Sequence, residues 1–420
     1  MPKYNQPELA MEEGGGTAIQ FARRAVPATS ISYWLLLIFV FLLYTSLPLQ
    51  YPALEAVRPA QLTAIAALII LSMEVVFAGR SFDPAWPQGY ALLGFLGAAA
   101  LSCSTALWPR LAFESTLDFL KIALIFFVVV NCVDSERRVR GLMWVMLIGG
   151  LAPAAGALRY YAAGQTVEGR AHWLGIFANP NELAASLVVL LPLAGCLAAK
   201  CRLTGRVALL GFSLLYAAAI FLTFSRGGMV GLLAALLLYA WRRRSAAVLC
   251  LLAAAASVAL VSAGRYWSRD EGFSDLSQDV SFRQRLATSR AGLAMFADHP
   301  LLGVGFGCSL IAWPLYAPED LYRQGRGELV THNTFIQPLS ETGLAGFIPF
   351  ILFLGSGLAT ARKLARRRPA GNITPLAAGL EIALWGFAVC GLSGGYVLSW
   401  FPYILTGLIC SAKRAAEQNS

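Results

Sequence analysis

Apolar runs long enough to cross a lipid bilayer recur along almost the whole of this 420-residue chain. A hydrocarbon core about 30 Å thick takes roughly 17 to 25 helical residues. Such runs lie near 31–49, 60–79, 86–102, 117–133, 141–161, 183–199, 206–224, 227–241, 246–262, 333–361, 375–395 and 396–412. Short polar or Gly-rich breaks separate the seventh from the eighth and the eleventh from the twelfth. Only 13% of the residues are charged, against roughly 25% in an ordinary soluble domain. The expected fold is therefore all-α: a polytopic membrane protein with about twelve transmembrane helices.

The first run follows a polar stretch that includes Glu12 and Glu13 and is too long for the apolar part of a cleaved signal, so it should stay in the membrane. Placing the N-terminus inside puts Lys3, Arg23, Arg24, Arg80, Arg137, Arg138, Arg140, Lys200, Arg202 and Arg206 on the cytoplasmic side. The triplets 242–244 and 366–368 join them, with Arg362, Lys363, Lys413 and Arg414. Short basic loops on the inner side set orientation, so the net charge of +10 reads as topology and assigns no nucleic acid partner. The chain divides into a cytoplasmic tail (1–30), helices one to nine (31–262), a periplasmic loop (263–332), helices ten to twelve (333–412) and a second cytoplasmic tail (413–420). That organisation suits a bacterial inner membrane. Eight cysteines without a C-x-x-C pair do not suggest a disulfide framework.

Most connections are short, which singles out two outer segments, 162–182 and 263–332; long ordered loops are usually functional. Within the second, Phe282, Leu286, Leu293 and Phe296 recur at near-helical spacing while Arg283, Arg285 and Arg290 take other positions. This predicts an amphipathic helix lying across the membrane surface. Its arginines run against the inside bias of positive charge and need another explanation.

Three polar clusters stand at the outer ends of predicted helices. The first contains Gly169, Arg170, His172, Asn179, Pro180, Asn181 and Glu182. Asn179 with Pro180 makes a good cap and first turn. A helix start on this face points its amides and positive dipole end outward, where an anion can be held; simple capping with an interfacial arginine is the alternative. The second is Phe224-Ser225-Arg226-Gly227-Gly228, with Ser225 as cap and Arg226 either a functional intramembrane charge or a helix-end anchor. The third runs from Thr331 to Gly343. Asn333, Gln337 and Glu341 fall at i, i+4 and i+8, a polar face on an apolar helix, and His332 at its outer end is placed to accept a proton near neutral pH. Together the clusters describe a cationic pocket for an anion such as a pyrophosphate, with one titratable base. Gly303-Val-Gly305-Phe-Gly307 superficially resembles a nucleotide loop but lacks a preceding strand and reads as a tight turn. No Asp-x-Asp motif occurs and the three histidines lack ligand spacing, so neither metal nor other cofactor is suggested.

At these residues the sequence resembles the O-antigen ligase and polymerase family of bacterial envelope glycosyltransferases. The resemblance covers about 170–346. Its motifs are Arg170 with Gly175 to Asn181, then Ser225-Arg226-Gly227, then Arg285 with Met295 to Gly305, and last His332-Asn333 with Glu341 to Gly346. A tryptophan expected after Arg285 is replaced by Ser289 or a neighbour, which leaves the register of that helix open. The resemblance implies a GT-C-like membrane enzyme with a periplasmic active site. Its donor would be a glycan on undecaprenyl pyrophosphate and its acceptor a lipid A-core sugar, joined by metal-independent inverting transfer. It implies His332, Arg226 and Arg170 as catalytic. Arg283, Arg285, Arg290, Asn179, Asn181, Asn333, Gln337 and Glu341 would bind substrate. A polymerase would use the same donor with a second lipid-linked repeat unit as acceptor. A secondary transporter of two six-helix halves is disfavoured, because the longest loop follows the ninth span and lies outside.

Overall fold

The structure, a computed structural model, describes residues 30–243, 280–317, 331–367 and 373–418. The expected ninth span, nearly all of the expected first tail, and the loop segments 263–279 and 318–330 lie outside the described residues; of the expected second tail, residues 413–418 continue the last helix.

The described chain is helical. It runs α1 (Ile31–Thr45), α2 (Pro52–Val57), α3 (Pro59–Val76), α4 (Gln88–Ser102), α5 (Pro109–Cys132), α6 (Glu136–Ala162), α7 (Pro180–Ala198), α8 (Leu203–Leu222) and α9 (Arg226–Arg243). It continues with α10 (Val280–Asp298), α11 (Ser309–Tyr316), α12 (Ile336–Ala365), α13 (Ile373–Gly391) and α14 (Phe401–Gln418). Among the described residues six helical stretches are long and apolar enough to cross a membrane: Pro52–Val76, Glu136–Ala162, Pro180–Ala198, Leu203–Leu222, Ile336–Ala365 and Ile373–Gly391. Six candidate spans thus stand against about twelve expected. The difference has visible causes. α1 and α4 are apolar but have 15 residues each, and α9 and α14 carry basic residues at their ends (Arg242 and Arg243; Lys413 and Arg414).

Burial separates centre from rim. The apolar windows of α7 and α13 are 72% and 67% buried, those of α2–α3 and α8 only 11% and 22%, as befits helices that face lipid. The central helices approach closely through small residues, since lipid supplies no hydrophobic drive between them and packing must. A Cβ on Gly379 would overlap the Cys196 side chain, and one on Gly231 would overlap Cys390. Phe95, Phe119, Phe306 and Tyr403 form a chain of edge-to-face rings across α4, α5, α14 and the loop after α10.

Two arginines read above as orientation signals have a second role. Arg80 is buried and paired with Glu74 while donating to the Asn131 carbonyl. Arg138 lies 4.9 Å from the Tyr33 ring centroid and 3.3 Å from Asp134. Both lock short turns between neighbouring helices.

α12 is broken at Gly343 (φ 58°, ψ −158°), and the segment after α10 docks on the break. Leu344 N donates to Pro300 O (2.9 Å), Ala345 N to Leu301 O (3.1 Å), Val304 N to Ser340 O (3.0 Å) and Gly305 N to Glu341 O (3.1 Å). Backbone groups freed by a kink at membrane depth are costly unless re-paired, and this loop re-pairs them. Gly303 permits the contact: a Cβ there would overlap the backbone of Glu341 and Thr342. Gly303-Val-Gly305-Phe-Gly307 is thus the turn expected after Pro300, used as a docking surface.

Candidate active site

Three helix starts converge as the clusters suggested. At α7 the Asn179 side chain accepts from Asn181 N (2.8 Å). At α9 Ser225 Oγ accepts from Gly228 N (3.2 Å). Before α12 Asn333 Oδ1 accepts from Phe335 N (2.9 Å) and Ile336 N (3.1 Å). Each cap satisfies amides that a helix start leaves unpaired.

Asn181 ties the first two clusters. Its Oδ1 accepts from Arg170 Nη2 (2.6 Å) and from Ser225 Oγ (2.9 Å). Arg170 is buried and also donates from Nε to Thr223 O (2.7 Å). The loop carrying Arg170 is fixed by Ala171 N donating to Leu222 O (2.9 Å). Arg226 follows Ser225 as the first residue of α9.

The third cluster joins through a segment that sequence reasoning passed over, 391–400. Thr334 N donates to Gly391 O (2.7 Å), Thr334 Oγ1 donates to Gly394 O (2.6 Å) and accepts from Tyr396 N (3.0 Å). Asn333 Nδ2 donates to Leu392 O (3.1 Å). From the same segment Tyr396 OH donates to Asn181 O (3.2 Å), closing the circuit between α7 and α12. Tyr396 is buried, and the charges of Glu182, Arg285 and Arg170 all act on it. Burial first, then Cys390 and Glu182, hold its phenol well above the ordinary tyrosine range, so it is a neutral donor. Close approach explains the glycines here: a Cβ on Gly394 would overlap the Tyr396 ring, and one on Gly227 would overlap Ser393 Oγ. The available signal was Gly391-Leu-Ser-Gly-Gly-Tyr396, read above only as a divider between spans. The last helix accordingly starts at Phe401 and not at 396.

His332 stands immediately before this junction, half-buried. Burial, and then the positive charge of Arg285, lower its pKa from the ordinary 6.5. At neutral pH the ring is an uncharged base.

The long-loop arginines separate. Arg285 is half-buried and near His332, while Arg283 and Arg290 are exposed. At roughly 100° per residue they sit about 200° and 140° around the helix from Arg285, so neither is brought to the junction. The buried face of α10 also differs from the expected one. Ala287, Thr288, Ala291 and Met295 are buried, whereas Leu286 and Leu293 are exposed, at 43% and 48%. Small residues let α10 settle on its neighbours and leave the leucines outward.

Glu341 and Asn179 are placed differently from the other expected ligands. Glu341 is fully buried, its Oε1 accepting from Ser309 Oγ (2.6 Å) and its Oε2 from Gly307 N (3.0 Å), with Gln337 Nε2 3.4 Å away. Its carboxylate holds the docked loop. Asn179 is an exposed cap. The structure thus gathers Arg170, Asn181, Ser225, Arg226, Arg285, His332, Asn333, Gln337 and Tyr396 around one end of the bundle, and leaves Arg283, Arg290 and Asn179 at its margin.

Residues 211–351 match the family model described as O-Antigen ligase. The matched stretch contains Ser225, Arg226, Arg285, His332 and the docked kink; Arg170, Asn181 and Tyr396 lie outside it and are brought to it by the fold. The match supports a multi-pass membrane enzyme of the glycosyltransferase type, acting on lipid-linked glycans in the O-antigen ligase or polymerase manner. Comparison with curated proteins gives no match.

Proposed function

We propose that this protein is an O-antigen ligase. It transfers a glycan from undecaprenyl pyrophosphate to a lipid A-core sugar, on the periplasmic face of the inner membrane, without a metal ion. The observation that carries the reading is the meeting of His332 and Arg285 within the matched stretch, beside the Arg170–Asn181–Ser225 junction.

In the proposed reaction the acceptor hydroxyl attacks the anomeric carbon. The new carbon–oxygen bond forms as the bond to pyrophosphate breaks, inverting the centre, and the hydroxyl proton passes to His332. Arg226 and Arg285 hold the departing pyrophosphate, and the start of α9 adds its dipole. Arg170 supplies fixed positive charge from behind, through Asn181. Arg285 has a second effect. It lowers the basicity of His332 in the empty site, and donor phosphates that pair with it cancel that influence. The base therefore strengthens when the donor is bound, which suppresses proton uptake before reaction.

The test is a lipopolysaccharide gel of a deletion strain, repeated with the strain carrying His332→Ala, together with extraction of the lipid-linked pool. A bare core with long glycan on the carrier is expected. A core bearing a single repeat unit would make the protein a polymerase with the same donor, and an unchanged gel would overturn both.

A further inference from the structure

α9 and α13, which meet the candidate site at Arg226 and Gly391, carry a second polar cluster at their opposite ends. Arg242 lies about 24 Å from Arg226 along α9 at 1.5 Å per residue. Between α9, α12 and α13 opens a cavity of about 890 Å³, within the ~300–1,000 Å³ range of small-ligand sites.

Its charge is unbalanced. Arg242, Arg362, Arg366 and Arg367 line it against one carboxylate, Glu381. Glu381 is buried and paired with Arg242, and the charges of Arg362 and Arg366 also act on it. A single carboxylate neutralises one guanidinium and leaves an excess of positive charge beside low-dielectric walls, where an anion relieves the cost. Thr374 Oγ1, in the cavity wall, is buried and has no hydrogen-bond partner among the described residues. Trp241 and Trp385 flank the opening with 81% and 42% of their surface exposed. Trp241 lies at the basic end of α9, where interfacial tryptophans sit, while Trp385 lies further along α13 toward Gly391; both side chains face outward, so the cavity opens toward lipid.

We propose that this cavity binds the headgroup of an anionic phospholipid, its phosphodiester held by Arg362, Arg366 and Thr374. Basic pockets between transmembrane helices suit such lipids. The site is separate from the glycan chemistry, at the other end of the bundle, and its occupancy does not require transfer.

Native mass spectrometry of the delipidated full chain, titrated with phosphatidylglycerol and with phosphatidylcholine of the same acyl chains, tests it. Phosphatidylglycerol should bind at least tenfold more tightly. R362Q/R366Q should erase that preference and R362K/R366K should keep it; T374V, which leaves every charge in place, should weaken phosphatidylglycerol binding a few-fold and leave the preference intact. Equal affinity of the unaltered protein for both lipids would overturn the proposal without any variant. So would a preference that survives R362Q/R366Q. Displacement of phosphatidylglycerol by equimolar inorganic phosphate would identify a soluble-anion site and overturn the lipid assignment. Because no arm measures transfer, these outcomes stand whether or not the ligase reading holds.

Discussion

At the scale of single residues, the division of labour between His332, Asn181 and Tyr396 is open to measurement. His332→Ala should reduce transfer by about 10²–10⁴, the usual worth of a positioned base, with unchanged folding by size-exclusion chromatography. The acid limb of the kcat/KM profile should fall below pH 6.5, because burial and Arg285 lower the imidazole pKa and transfer is lost as pH drops through it. Arg285→Gln removes one of those causes, so the limb should move to higher pH even as the overall rate falls; a limb that stays in place would separate the two residues. Asn181→Ala deprives Arg170 and Ser225 of a shared acceptor. It should cost about 1.5–3 kcal/mol, as for hydrogen bonds to charged groups, read as a lowered Tm in detergent. Asn179→Ala, a cap only, should cost about 1 kcal/mol and leave transfer intact. Arg170, Asn181, Arg226 and His332 were legible in the sequence because a charge or amide beside an apolar run is conspicuous. Tyr396 was not, since a tyrosine after a Gly-rich break resembles the start of another span.

Among the elements, the break in α12 and the loop docked on it form the least conventional part of the fold. Gly343→Ala would place a Cβ on the Leu301 backbone at a positive φ, and the combined strain and overlap should cost about 2–6 kcal/mol. The check is the monodisperse fraction that survives a heating series. Glu341→Gln keeps one acceptor oxygen, for Gly307 N, while its new Nε2 can donate to the Ser309 hydroxyl, which reverses its role; it should retain most transfer activity. A hundredfold loss at unchanged stability would return Glu341 to the substrate-binding set. The sequence indicated this region without resolving it. Asn333, Gln337 and Glu341 do share one helical face, but spacing along a helix does not say whether that face meets a ligand or a loop from elsewhere in the chain. For α10, leucine periodicity suggested the buried face, whereas close packing selected Ala287, Ala291 and Met295.

For the molecule as a whole, hydropathy located most helices within a few residues, because lipid demands length and apolarity more strictly than water demands any pattern. It could not show which helices are central, a property set by small residues such as Gly231 and Gly379. Sidedness is read directly by cysteine labelling. In a cysteine-free background, Gln165→Cys, in the exposed turn after α6, should react with a membrane-impermeant maleimide in intact cells. Cys201 restored alone, in the turn between α7 and α8, should react only after the inner membrane is opened; the reverse pattern would invert the topology. The bond from Tyr396 OH to Asn181 O joins residues 215 positions apart, and it bears on biogenesis. At roughly 5–20 residues per second, the ribosome needs about 10–40 s after making Asn181 to supply its partner. In a nascent chain the arginines are therefore inserted while the junction is still unmade, and the junction can close only when the closing hairpin of the protein has entered the bilayer.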